Sequence, residues 1–345
     1  MEATHVPVLL EECLELLAPP RPDALMVDLN LGEGGHAEAF LERFPSLRYI
    51  GVDADASIQE RARARLARFG SRVRYIRAFS DDALALLKEE GVRPDLAFFD
   101  LGVSMFHFRD ARRGFSFMED EVLDMRLDPS TGRSASVLLA ECTEDELAGL
   151  LAEYGEEPYA RRVAAALVKA RGEKPIDTSA RLAELVRAAV PPAARHGRTH
   201  PATRTFQALR VAVNDELGRA GRAFALAAEI LAPGGTLGII TFHSLEDGLA
   251  KRFLREAASG GTDAKALDGR ARYLLRKGRR AADDTASGGS GTVPPAEAGR
   301  AGTLESVGRK PVEPSAAEIA RNPASRSAKL RVARKPALAP DGGAA

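Results

Sequence analysis

The sequence predicts an α/β protein: a mostly parallel, doubly wound sheet interrupted by an inserted all-helical domain. Three observations carry this. Short apolar runs that end in an acid alternate with helical stretches through the first hundred residues, the pattern of parallel strands joined by crossover helices. From 105 to 205 the chain is rich in Ala, Leu, Arg and Glu at helical spacing, with no convincing strand. A strong apolar strand, Thr236–Phe242, then follows the turn LAPGG.

Each element has its own signal. Residues 8–17 form a short amphipathic helix by their spacing. Ala24–Asp28 is an apolar run closed by an acid, and the glycine-rich turn LNLGEGG follows it. A helical stretch covers His36–Arg43, and Arg48–Asp53 is a second strand ending in an acid. Residues 57–69 make an arginine-rich amphipathic helix, Arg72–Phe79 alternates as a strand does, and 81–90 is helical. Asp95–Asp100 is the third acid-terminated strand, buried by its pattern. Helices resume over Phe206–Leu231, and Arg326–Arg334 is a closing strand that returns to the sheet. Residues 257–310, with GGTD and DDTASGGSGTVPP, have the composition of a flexible loop. The expected organisation is therefore a first part of the α/β domain at 1–104, a helical insertion at 105–205, and a second part at 206–345.

Composition narrows the function classes. At 345 residues, with 45% hydrophobic and 28% charged, the chain is an ordinary globular enzyme in make-up. No apolar run approaches the roughly 20 residues that span a bilayer. The opening MEATHVPVLLEECLELL has acids where a secretory signal would be positive. Cys13 and Cys142 are the two cysteines, far apart, which argues against a disulfide framework and fits a reducing cytoplasm. The six histidines show no metal-ligand spacing, so no metal is expected. Formal charge is zero, yet residues 158–210 hold 11 Lys+Arg against 3 Asp+Glu, and residues 269–345 hold 15 against 7. Two basic segments on a neutral chain suit a polyanionic partner, with solvated helix faces as the alternative.

The chemistry concentrates at one sheet edge. Asp28, Asp53 and Asp100 each end a strand, and ligands of doubly wound sheets bind beyond the carboxyl ends of strands near the switch point. Gly32, Gly34 and Gly35 let backbone approach a ligand, because no Cβ intervenes. Asp53, about 20 residues further on, is placed for ribose hydroxyls. A dinucleotide fingerprint would need a third glycine. Here GEGGHAEA lacks it and sets Glu33 in the loop. A carboxylate is awkward beside pyrophosphate and tolerable beside a sulfonium and an amino group, which favours S-adenosylmethionine over NAD.

With these motifs in hand the chain resembles the ribosomal RNA small subunit methyltransferase H (MraW) family. The resembling segments are HVPVLLEE at 5–12, GEGGH at 32–36, DLGVS at 100–104, RGFSF at 113–117, LDMRLD at 123–128, YGEE at 154–157, HPATRTFQALRVAVNDEL at 200–217, FHSLED at 242–247 and NPASRSAKLR at 322–331. They run in the family's order over almost the whole chain. The resemblance implies a Rossmann-like class I S-adenosylmethionine methyltransferase sheet and methyl transfer to N4 of a cytidine in the decoding region of 16S rRNA. It implies S-adenosylmethionine as cofactor, the small ribosomal subunit as partner, no membrane, a cytoplasmic location and a possible homodimer. It also implies cofactor contacts from Gly34, Gly35 and His36, Asp53 on the ribose, Phe79 beside the adenine, Asp100 at the methionine or adenine end, and His107 where the family usually has glutamine. Asn30 and Ala37 replace the usual threonine and serine of the first loop, and Gly248 replaces an arginine after FHSLED.

The reaction sets its own demands. N4 of cytosine is a poor nucleophile, so catalysis rests on placing it in line with the sulfonium methyl. An acceptor for the amino hydrogens would stabilise the cationic product. Asp100 is the first candidate for that acceptor, and His243 and Ser244 are the second. Arg126 and Arg204 lie in specific motifs and are the ranked substrate contacts. Phe106, Phe108, Phe115 and Phe117 are candidates to stack on an extruded base, with core packing the weightier reading of each. His5 and His200 read as orienting or capping residues, and the cysteines as small apolar ones. A silent RNA-binding protein on the same fold and an NAD-linked oxidoreductase are the competing classes.

Overall fold

The computed structural model describes residues 7–195, 197, 199–259 and 304–337. Among these the chain forms two compact units: one runs to Gly102 and resumes at Leu217, and the other is Val103–Glu216.

The first unit is a seven-stranded sheet. Its strands are β1 (Leu25–Asp28), β2 (Arg48–Asp53), β3 (Val73–Arg77), β4 (Leu96–Asp100), β5 (Thr236–Thr241), β6 (Glu305–Ser306) and β7 (Lys329–Arg334). Their order is β3-β2-β1-β4-β5-β7-β6. The first five are parallel, and β7 runs antiparallel to both β5 and β6. Helices α1 (Leu10–Leu16), α2 (Gly35–Arg43), α3 (Ala56–Leu66) and α4 (Ser80–Glu89) belong to the first half. The strands read as unbroken apolar runs because both faces are covered. Met26, Tyr49 and Phe98 pack with Cys13, Leu17, Phe40 and Leu66 on one side. Val27, Val52, Phe99 and Ile239 pack with Leu84, Phe224 and Phe253 on the other. The strand order reverses direction between β1 and β4, so the switch point lies at the ends of Asp28 and Asp100.

The second unit contains α5 (Met105–Arg109), α6 (Ala135–Glu141), α7 (Glu144–Gly155), α8 (Ala160–Glu173), α9 (Ser179–Ala189) and α10 (Thr203–Asn214). Helix α7 opens with a full capping box between Thr143 and Glu146. Leu147, Leu151, Val163, Leu167, Leu182 and Val186 are buried. The chain then passes into α11 (Glu216–Ile230), α12 (Ser244–Ala258) and α13 (Ala316–Arg321).

Two expected boundaries move. The helical unit ends at Glu216 rather than at 205, because α10 is tied within it: Gln207 donates to the Tyr154 carbonyl at 3.2 Å and Asn214 to that of Met125 at 2.8 Å. The expected loop at 257–310 is shorter at both ends. Residues 257–258 finish α12, and Glu305–Ser306 pair with β7; the loop reading for 260–303 lies outside the described residues, as does His5.

Candidate active site

The loop after β1 is fixed by its neighbours. Leu29 N–H donates to the Phe98 carbonyl at 2.8 Å and Leu31 N–H to that of Val52 at 2.9 Å. Gly34 then takes φ 79°, a left-handed conformation that side chains resist. A Cβ on Gly35 would lie 2.8 Å from Pro7 Cγ, so the turn into α2 is sterically restricted to glycine. Asp53 braces this loop: its Oδ2 accepts from Gly32 N–H and its Oδ1 from Asp55 N–H, both at 2.9 Å. Glu33 reads differently in the structure than in the sequence. Its carboxylate lies 3.3 Å from the Arg61 guanidinium of α3, so its charge is met from within the protein and no longer discriminates between cofactors.

Beneath the loop lies a buried polar group of residues. Asp28 accepts from the Tyr49 hydroxyl at 2.8 Å and from Asn30 N–H at 3.1 Å. Burial pushes its carboxyl up to about 7, against the opposing pull of those hydrogen bonds. Burial and the neighbouring Asp28 hold the Tyr49 hydroxyl well above the ordinary phenol range. His36 donates from Nε2 to the Val8 carbonyl at 2.9 Å, while its Nδ1 lies 3.4 Å from Asp100 Oδ2. Two acceptors at this edge, Asn30 Oδ1 and Asp100 Oδ1, are buried without a hydrogen-bond partner. Buried acceptors normally have donors. Two orphaned oxygens two residues beyond the paired positions Asp28 and Phe98 therefore fit hydrogen-bond donors of bound groups, an ammonium or an amine.

Phe79 precedes α4 at the end of β3, and the Arg219 guanidinium sits 3.9 Å over its ring. Arg219 is itself held by Asp81 at 2.6 Å and Asp82 at 2.9 Å. This fixes the orientation of the aromatic ring. Gly34, Gly35, His36, Asp53, Phe79 and Asp100 thus all belong to the carboxyl edge of one sheet.

The late strand ends differently from expectation. His243 is the N-cap of α12: its Nδ1 accepts from Glu246 N–H at 3.4 Å, and its Nε2 lies 3.1 Å from Glu246 Oε1. Glu246 reciprocates by accepting from Phe242 N–H at 2.8 Å and His243 N–H at 3.3 Å. Ser244 opens the helix.

In the second unit His107 is buried, its ring 5.5 Å from that of Phe106 and 5.2 Å from that of Phe115. Phe106 and Phe115 are buried, and Phe108 is half-buried. Phe117 stacks on His200 at 4.5 Å, and His200 Nδ1 accepts from Ala202 N–H, a local capping role. Arg126 grips Asp124 bidentately at 2.8 and 2.7 Å. Arg204 is exposed and donates to the Glu156 carbonyl at 3.0 Å. Sequence reading passed over Tyr49 and the Val8 carbonyl. A tyrosine inside an otherwise aliphatic strand was the available signal for the first, since a buried hydroxyl needs a partner; a carbonyl leaves none.

Known proteins resemble this chain closely. The model of the MraW methylase family matches residues 2–282 and 285–336. A ribosomal RNA small subunit methyltransferase H from Treponema denticola is 44% identical over 335 residues, covering 97% of this chain and 98% of that one. Its namesake from Symbiobacterium thermophilum is 40% identical over 333 residues, 96% of each. That from Heliobacterium mobile is 39% identical, covering 97% of this chain and all of its own length. A solved rRNA methylase from Streptococcus thermophilus aligns over 95% of this chain and 93% of its own at 9% identity and a TM-score of 0.38, too slight a likeness to argue from. Identity at this level over the whole length, together with the family match, establishes that the chain belongs to the MraW methylase family.

Proposed function

We propose that the protein is an S-adenosylmethionine-dependent methyltransferase that modifies N4 of a cytidine in 16S rRNA of the small ribosomal subunit. The observation that carries the reading is the orphaned, buried Asp100 Oδ1 at the switch point of the sheet. Bound there, S-adenosylmethionine supplies an electrophilic methyl group. The bare backbone at Gly34 and Gly35 admits the donor, and Asp53, held in place through the Gly32 and Asp55 amides, meets the ribose hydroxyls at the end of β2. Phe79 offers an aromatic surface for adenine. The imidazole of His107 is the further contact by family position.

Asp100 accepts a hydrogen of the cytosine amine. That contact localises the nitrogen lone pair before transfer and receives the proton that must leave N4 afterwards. His243 caps α12 and Ser244 opens it, so Asp100 takes precedence over both as proton acceptor. Arg204, exposed on α10, is the stronger candidate for rRNA phosphate; Arg126 is oriented by Asp124. Among the described residues no helix is long and apolar enough to cross a membrane, and the reading puts the enzyme in the cytoplasm with its ribosomal substrate. By family resemblance the chain pairs with a second copy, and sedimentation of the purified chain at twice the mass of one copy is the expected result. The function itself is tested by incubating the protein and labelled donor with small subunits from a strain lacking the enzyme. Label on cytosine N4 supports it; label on a ribose or another base overturns it.

A further inference from the structure

His36 is placed by family position among the cofactor contacts, yet its side chain is spent inside the protein. The ring is buried on α2, edge-on to Phe98 at 5.1 Å. Nε2 faces the Val8 carbonyl at 2.9 Å, and a carbonyl can only accept, so Nε2 carries a proton. Nδ1 faces Asp100 Oδ2 at 3.4 Å. A neutral ring would then set its lone pair against a carboxylate, whereas an imidazolium donates to both. The other Asp100 oxygen is the orphaned one. One carboxylate oxygen is thereby anchored and the other left for the site.

Resting on the reading of Asp100 as acceptor, we propose that His36 is a positioning residue: as an imidazolium it ties Asp100 Oδ2 to the Val8 carbonyl and so aims Oδ1 at the substrate amine. Every element packed against the ring contributes to its balance. Asp100 of β4 and Cys13 of α1 face it, Asp28 of β1 lies nearby with its carboxyl pushed up by burial, and Tyr49 of β2 lies behind Asp28. Arg65 of α3 approaches the neighbouring Gly35, with its own charge paired to Glu38 at 3.2 Å. Burial opposes a charged ring, and the hydrogen bonds to Asp100 and Cys13 with the charge of Asp100 outweigh it, holding the imidazole well above its ordinary value.

Two measurements test this. The first needs no activity. In the carbon–proton NMR spectrum of the full chain, the His36 ring signal, assigned by its loss in His36→Asn, stays in the imidazolium position at a pH where exposed histidines have titrated. Asp100→Asn brings its titration down. A His36 that titrates in the ordinary range in the unaltered protein overturns the proposal.

The second measurement is a ranking. Asparagine places its amide where Nδ1 was and still reaches toward Asp100. Glutamine extends toward Val8 and does not. His36→Asn therefore retains most of the rate, while His36→Gln loses about 100-fold in kcat with a much smaller change in KM for the donor. A role confined to packing or to tying down the N-terminal segment ranks the two variants the other way. If the unaltered enzyme transfers no methyl group to rRNA, the reading of function fails, while the NMR result still decides the ion pair.

Discussion

Asp100 tests the site most sharply at the scale of single residues. Its two oxygens have different surroundings, one beside His36 and one orphaned. Asp100→Asn keeps the size and removes the charge and the proton acceptor. The variant is expected to bind S-adenosylhomocysteine in calorimetry while kcat falls by about 10²–10⁴. An unchanged kcat would move the acceptor elsewhere. Asp28 makes a second, independent prediction. Burial raises its folded pKa from 3.8 to about 7. Between those values the folded protein holds a proton that the unfolded chain has released, so this group's contribution falls as pH rises through the window. Asp28→Asn cannot ionise and keeps an acceptor for Tyr49. The stability of the unaltered protein relative to this variant should drop by roughly 2–3 kcal/mol between about pH 5 and about pH 8, read from urea unfolding at both. No change, or a rise, would mean that Asp28 is ionised in the fold.

At the scale of elements, the ends of helices and strands separate what was legible from what was not. Strand β2 fell where its apolar run begins and ends, because burial on both faces makes composition alone diagnostic. The two-residue strand β6 has no such signal; it exists only through pairing with β7. FHSLED was read for chemistry, although a glutamate three residues after a potential cap is the signature of a capping box. Histidine is an unusual N-cap, and that disguised it. The site shows the same division. The strand-end acids and the glycine turn were legible because they are local in sequence, whereas the contact between His36 and Asp100 joins residues 64 positions apart, 100 − 36. Glu246 tests the capping account. Glu246→Ala removes the acceptor for Phe242 and His243 N–H groups and should cost about 1–3 kcal/mol in thermal or urea unfolding. Glu246→Gln, which keeps one acceptor oxygen, should recover part of it. An alanine variant as stable as the parent would leave His243 without its capping partner and restore it as a candidate in the site.

For the molecule as a whole, the proposed donor contacts and the basic segment proposed to meet a polyanion fall in different units along the chain. The proposed donor contacts Gly34, Asp53 and Asp100 belong to the first unit, and the basic segment 158–210 falls within the second. On α8 the exposed cations are Arg161, Arg162 and Lys169, with Arg162 and Lys169 seven residues apart and hence on one face. Arg161 lies 3.5 Å from Asp145, both well exposed, a pair too solvated to hold the side chain firmly. A zero net charge gives no global attraction to RNA, so any phosphate affinity must come from local groups of this kind. Replacing Arg161, Arg162 and Lys169 by glutamine removes three charges without touching the first unit. Affinity for S-adenosylhomocysteine should then be unaltered, while KM for small subunits rises. The slope of log affinity for the subunit against log salt should become shallower by about one for each phosphate that the variant leaves unneutralised. A normal salt slope in the triple variant would mean that α8 is simply a solvated face, and that rRNA phosphates are met by other basic residues such as Arg204.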